Sequence, residues 1–360
     1  MTAETATPTS STLDSQFKFQ VGEGIKVMRK YRRWQQDPSA YEGRPKITPE
    51  ENNKVKQILE ERYGSQVRSS NLAIEGAAVS DGELQLVHQM VVDAHEIEEE
   101  VIPDKDRRPL NASTLEHFQQ VEAYFWVMAE QIPGININRG RAQAALHDKG
   151  REETHDPVLH LIGGRQRLKE LGFAPDFRKT ALAHGEAGIG PYIYGITPDT
   201  WPILSKDQSK LDQMINNLPI TDVLIAVADM GKRGIQQPDG SFVNTISGPL
   251  EGLAPSAKRR LKTEKGEPSD EVLMGLGNAD PEVREQSMQA LRDLGATETN
   301  INQMAMYFGW LAGLKRRLEN DYGIQFEGPN NVAELAQRRF EEMRENYTST
   351  SATMNNGNQN

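Results

Sequence analysis

The apolar residues of this chain recur mostly at helical spacing. In residues 113–131, apolar side chains return every three or four positions behind a Ser-Thr start, which predicts the strongest amphipathic helix. Residues 81–100 place Leu84, Val87 and Val91 on a similar stripe. Further helices are predicted at 48–63, 139–148, 158–172, 220–233, 269–277, 280–294, 298–321 and 331–347.

Strand patterns are scarce and no internal repeat is found, so the predicted fold class is all-α. Three stretches with Gly or Pro are predicted to be connections: a linker at 101–112, a loop or lid at 185–205 and a long segment at 234–268. The ends of the chain, 1–20 and 348–360, are polar with few apolar residues. We therefore predict two disordered tails around a helical body.

Composition narrows the classes of function. The 360 residues carry a formal net charge of −11, which disfavours nucleic acid and anionic membranes as partners. The absence of cysteine excludes disulfides, thiolate zinc sites and cysteine nucleophiles. Neither a signal peptide nor an apolar run of about 18 residues is found. We therefore expect a cytoplasmic protein with no membrane-spanning segment.

Histidines and one carboxylate in an apolar run provide the candidate chemistry. Five of the seven histidines fall between residues 117 and 184. Asp229 lies within VLIAVADM, where an unpaired carboxylate would be costly and needs a compensating partner. His155 follows charged residues and precedes Pro157, so we expect it to be a loop residue outside the site. Imidazoles and carboxylates together suit a divalent transition metal.

The order and the local context of these residues resemble the HD-domain superfamily of metal-dependent phosphohydrolases. AALHDKGR is similar to the family's apolar run followed by an HD pair, and HLIGGRQRLKELGF to its His-x-x-Gly helix. LAHGEAG and VLIAVADMGKR are similar to its later His loop and its last apolar helix with Asp. The resemblance covers roughly residues 110–235. It implies an HD-domain helical bundle at 111–245, with helical regions at 21–110 and 246–347.

The resemblance also implies the metal ligands. In the superfamily the order H, HD, D holds one ion, and two further histidines mark a binuclear branch in which the Asp of the HD pair bridges both ions. Two divalent ions are thus implied, with Fe or Mn favoured and Mg, Co or Ni open. The chain lacks the Gly-Tyr-Pro motif of HD-GYP phosphodiesterases, which disfavours a cyclic dinucleotide as substrate. The implied ligands are His117, His147, Asp148, His160, His184 and Asp229.

The implied reaction is hydrolysis of a nucleotide or another small phosphate monoester or diester by a metal-activated water. Catalytic roles are implied for Asp148, Lys149 and Arg151, and phosphate binding for Arg151 and Arg165. Each of these cations is equally consistent with an ordinary surface charge. Two alternatives stay open, a di-iron oxygenase with the same ligands and a non-catalytic HD-fold scaffold. The sequence does not fix the oligomeric state, and a homodimer is among the open states.

Overall fold

The computed structural model describes residues 47–104, 110, 112–153, 159–184, 191, 196, 200–236, 242–261 and 263–355. Within these ranges the chain is helical apart from one two-stranded hairpin, which confirms the predicted all-α class. None of the helices in these ranges has both the length and the apolar character that a membrane span requires.

Seven helices form the first half of the described chain. They are α1 (Pro49–Leu59), α2 (Ser65–Arg68), α3 (Asp81–Val101), α4 (Ala112–Ala129), α5 (Ile137–Leu146), α6 (Leu159–Leu171) and α7 (Pro175–Ala183). A π-helical turn joins α1 to α2, and a 3₁₀ turn, Lys149–Glu152, follows α5. The sequence prediction omits α7, because nine residues give too few positions for the helical period to stand out.

The second half contains eight more helices and the hairpin. They are α8 (Trp201–Leu204), α9 (Gln208–Asn216), α10 (Ile220–Met230), β1 (Lys232–Gln236), β2 (Phe242–Ile246), α11 (Pro249–Arg260), α12 (Asp270–Gly275), α13 (Pro281–Asp293), α14 (Glu298–Tyr322) and α15 (Val332–Asn355). The two strands are antiparallel, with Lys232 opposite Ile246.

Side-chain caps explain where several helices begin. Thr48 and Glu51 form a capping box before α1, and Ser80 and Glu83 form another before α3. The side chain of Asn136 caps α5 by accepting a bond from a first-turn N–H. The cap of α5 matters most for the site, because it fixes the phase of the helix whose end carries the HD pair.

The structure differs from the sequence prediction in the segment 234–268. The predicted helix 220–233 ends at Met230, and the segment that follows contains the hairpin and α11 rather than a plain connection. Strands of five residues are too short to show a clear alternation, and α11 carries an internal Pro255 that masks its pattern. At the other end, α15 runs to Asn355, into the tail predicted to be disordered from residue 348.

Two large hydrophobic cores both include side chains of α4. The first joins α1–α3 to α5, α6 and α7 and takes Phe118 from α4. The second joins α8–α15 and takes Val121, Tyr124 and Phe125 from the same helix. The helices of the predicted N-terminal region therefore share a core with those of the predicted central bundle. His117 precedes Phe118 on α4, so the packing of Phe118 in the first core helps to fix its position.

Candidate metal centre

Five helices bring the six predicted ligands together. His117 comes from α4, His160 from the first turn of α6 and Asp229 from the last turn of α10. The pair His147-Asp148 follows the last residue of α5, and His184 follows the last residue of α7. All six side chains are buried. Buried imidazoles and carboxylates require partners or an ion, so this convergence defines the candidate site.

A first group of ligands contains His117, His147, Asp148 and Asp229, whose ligand atoms all lie within 4.8 Å of one another. His117 Nε2 is central to the group. It lies 3.2 Å from Asp229 Oδ1, 3.3 Å from Asp148 Oδ2 and 3.2 Å from His147 Nε2. Two imidazole nitrogens and two carboxylate oxygens thus face a common point, which is the donor set of a transition-metal site.

A second group contains Asp148, His160 and His184, again with ligand atoms within 4.8 Å. Asp148 Oδ1 lies 3.0 Å from His160 Nε2 and 2.9 Å from His184 Nε2. Its other oxygen, Oδ2, faces the first group. Asp148 therefore offers one oxygen to each group, which is the placement required of a bridging ligand.

Backbone carbonyls orient two of the imidazoles. His147 Nδ1 lies 2.6 Å from the Ala144 carbonyl oxygen, and His184 Nδ1 lies 3.3 Å from that of Thr180. A carbonyl can only accept, so Nδ1 carries the proton in the neutral rings and leaves the lone pair on Nε2. Both Nε2 atoms therefore present a lone pair to the centre of the site, as ligation requires.

The charge states of the ligands also suit a cation. Burial would raise the pKa of Asp148, but the Arg151 guanidinium and the imidazoles of His160 and His147 hold it well below its usual range. Burial would likewise raise the pKa of Asp229, but its contacts with the imidazoles of His117 and His147 hold it well below the usual range. Burial lowers the pKa of His160 to about 4. Anionic carboxylates and a neutral imidazole are the forms that bind metal.

The three predicted cations lie in different surroundings. Arg151 borders the site, with Nε 3.1 Å from Asp148 Oδ2 and a quarter of its side chain exposed. Lys149 is buried and pairs with Glu152, away from solvent. Arg165 is exposed and lies five residues after His160 on α6, about 140° around the helix. Of the three, the structure brings only Arg151 into contact with a ligand side chain among the described residues.

Two buried ion networks next to the site are absent from the sequence prediction. In the first, Glu152 pairs with Lys149 and Arg167. In the second, Glu122 of α4 lies 2.9 Å from His88 of α3 and 2.8 Å from Arg141 of α5. The sequence does contain a signal for Glu122, because this charged residue lies on the buried face of an amphipathic helix. His88 is also buried in this network.

The predicted loop or lid at 185–205 falls largely outside the described residues, as does His155. Trp201 is described, and its side chain is buried in the second core. Comparisons of the chain with protein-family models, curated proteins and solved structures find no match. Its buried His and Asp groups could hold a metal ion, and that conclusion rests on the geometry alone.

Proposed function

We propose that this protein is a phosphohydrolase that uses two divalent ions to cleave a nucleotide or another small phosphate ester. The observation that carries the proposal is the division of Asp148 between two ligand groups, one oxygen facing each. A mononuclear site would not need His160 and His184 in this arrangement. The five converging helices also support an HD-type bundle.

The donor set supports ions of intermediate hardness, with Fe(II) or Mn(II) favoured. It combines four imidazoles with two carboxylates and has no thiolate, which disfavours soft ions. When bound, such ions supply charge stabilisation for the phosphoryl group and lower the pKa of a water to near neutrality. The carboxylate of Asp148, with one oxygen facing each ligand group, would hold both ions near each other.

Arg151 is the described cation best placed to act on the substrate. Its guanidinium contacts Asp148 yet keeps a quarter of its side chain exposed, so it can reach a phosphoryl oxygen that approaches the ions. A guanidinium offers two parallel N–H donors to a phosphate. It would stabilise the charge that grows on the equatorial oxygens during displacement. Lys149 and Arg165 have no comparable placement, and we assign them no contact with the substrate.

The experiment is an assay of the full chain on a panel of phosphomonoesters, phosphodiesters and nucleotides, after reconstitution with Mn(II) or Fe(II). We expect turnover of at least one member without O₂, and none after chelation. Turnover that requires O₂ would favour the di-iron oxygenase. Metal binding without turnover under any condition would favour a non-catalytic scaffold. Asp148→Asn, prepared in the same way, is the control for contaminating phosphatase.

A further inference from the structure

The turn that follows the HD pair packs directly on the backbone of α6. This turn, Lys149–Glu152, has Gly150 at its point of contact. A Cβ built on Gly150 would overlap the carbonyl oxygen of His160 and lie 2.5 Å from the amide nitrogen of Gly164. The backbone of the turn thus touches the helix at the residue that carries a ligand. The position of Asp148 relative to His160 is set across this contact.

A buried ion pair holds the other end of the same turn. Glu152 Oε2 lies 3.4 Å from Arg167 Nε, and the two residues are 1% and 2% exposed. Arg167 follows His160 by seven residues, which places the two side chains on one face of α6, about 10 Å apart along its axis. The turn is therefore fastened to α6 by the glycine contact at one point and by the Glu152–Arg167 pair at another.

Burial gives this pair its strength as a positional constraint. A guanidinium and a carboxylate removed from water cannot separate without leaving an uncompensated charge. Glu152 also pairs with Lys149, the residue next to Asp148. Movement of the turn away from α6 would break the Glu152–Arg167 pair and the Gly150 contact together, whereas the Lys149–Glu152 pair lies within the turn. The network thus opposes the displacement that would draw Asp148 away from His160.

The two ligand groups depend unequally on this constraint. Among the described residues the first group has four ligand side chains, and only one of them, Asp148, directly precedes the turn. The second group has three, and it needs Asp148 and His160 at a fixed separation. A small displacement of Asp148 therefore removes a larger share of the ligands from the second group than from the first.

We propose that the Glu152–Arg167 pair is a positioning pair that holds the shared carboxylate of Asp148 against His160 and so sets the affinity of the second metal ion. The proposal rests on the two-ion site of the proposed function, and it does not depend on the reaction catalysed. Neither residue is assigned a contact with substrate or metal. Supporting groups of this kind typically change metal affinity by about 10- to 100-fold.

The test is a titration of the metal-free full chain with Mn(II). Calorimetry and electron paramagnetic resonance measure the affinity and the number of bound ions. Glu152→Gln/Arg167→Gln removes both charges of the pair at once. Because Glu152 also pairs with buried Lys149, Arg167→Gln alone, which keeps the Lys149–Glu152 pair, is measured beside it. We expect the second ion to bind about 10- to 100-fold more weakly, with the first unchanged. In a chain that already carries His160→Ala and His184→Ala, the same double change should leave the affinity of the remaining ion unaltered.

Arg317→Gln is the matched control, since Arg317 of α14 has a side chain only 9% exposed and a guanidinium that donates to the carbonyls of Ile215 and Leu218. It should bind both ions normally. If the double variant does not fold, Arg167→Lys carries the test, because it keeps the charge and loses the planar fork. It should weaken the second ion several-fold and leave the first unchanged.

Three outcomes would overturn the proposal, and they differ from one another. Normal affinity for both ions in the charge-removing variant would show that the pair does not position Asp148. An equal loss at both ions, or a further loss in the chain lacking His160 and His184, would show a general structural role. A wild-type chain that binds fewer than two ions would instead refute the two-ion site, and the proposed function with it.

Discussion

Replacing Gly150 with alanine should selectively damage the second metal position. The added Cβ would lie 2.5 Å from the Gly164 nitrogen and 2.6 Å from the His160 carbonyl carbon, whereas real Cβ atoms stay beyond about 3.0 Å. These neighbours are backbone atoms of a buried helix, so they cannot rotate away. The turn must therefore retreat from α6 by about 0.5 Å at Gly164 to restore that limit, and by more at the overlapped carbonyl oxygen.

That displacement is large for a metal ligand. Functional groups usually need placement within about 0.5 Å, and a misplacement of about 1 Å can cost roughly 10² in rate. We expect the second ion to bind about 10- to 100-fold more weakly, which corresponds to about 1.4–2.7 kcal/mol. Overpacking should also lower the free energy of unfolding by about 1–3 kcal/mol.

The assay is Mn(II) calorimetry on Gly150→Ala, combined with denaturant unfolding of the metal-free chain. Gly82→Ala is the matched control, because a Cβ at Gly82 would meet nothing within 4 Å. It should match the wild type in metal affinity and should not lower the free energy of unfolding, because alanine is favoured over glycine at a helical position. If Gly150→Ala binds two ions with wild-type affinity and unfolds at the same denaturant concentration, the close packing of the turn on α6 does not position Asp148, and the reasoning fails.

Three further changes test the site and its surroundings. Asp148→Asn keeps the shape but removes the charge shared by both groups, so metal analysis should find both ions weakened, and full occupancy would contradict the bridging role. Arg151→Ala should retain both ions yet lower kcat by about 10²–10³, or roughly 2.7–4 kcal/mol, with Arg151→Lys recovering part; normal turnover would remove Arg151 from the mechanism. Burial raises the pKa of Glu98 from 4.5 to about 9. The folded chain thus holds that proton more tightly than the unfolded chain, and the stability from Glu98 is full below pH 4.5 and is lost as the pH rises towards 9. The unfolding free energy of Glu98→Gln, relative to that of the wild type, should therefore increase between pH 5 and 8, by on the order of a few kcal/mol at most. Parallel pH profiles of the two proteins would contradict this.

The predictable part of the fold follows from regular periodicity. The stripe Leu84, Val87 and Val91 is buried as expected, and α4 and α14 end within two residues of their predicted ends. The hairpin, α7 and α9 are short, and a short segment carries too few positions for its period to distinguish helix from strand or loop. Their formation depends on contacts with residues distant in the sequence, and the local spacing of apolar residues does not reveal such contacts.

The resemblance to the HD superfamily supplied the candidate ligands, and a carboxylate within an apolar run is a signal that needs no resemblance. Asp229 within its apolar run is the clearest example. The sequence did not show which of the nearby charged residues contact a ligand and which only pair with one another. Lys149, Arg151 and Glu152 belong to one short charged run, yet Arg151 contacts Asp148 while the other two pair with each other. The direction of each side chain depends on the turn and on its packing against α6, which are tertiary features.

The number of Mn(II) ions bound per chain tests the central claim most directly. After removal of metal and reconstitution, the wild-type chain should hold two ions, and His160→Ala/His184→Ala should hold about one. The number of ions in the wild type tests both ligand groups together. The difference between the wild type and the double variant assigns the second ion to His160 and His184. A wild-type chain that holds fewer than two ions, or a double variant that holds as many ions as the wild type, would contradict the two-ion centre built around Asp148.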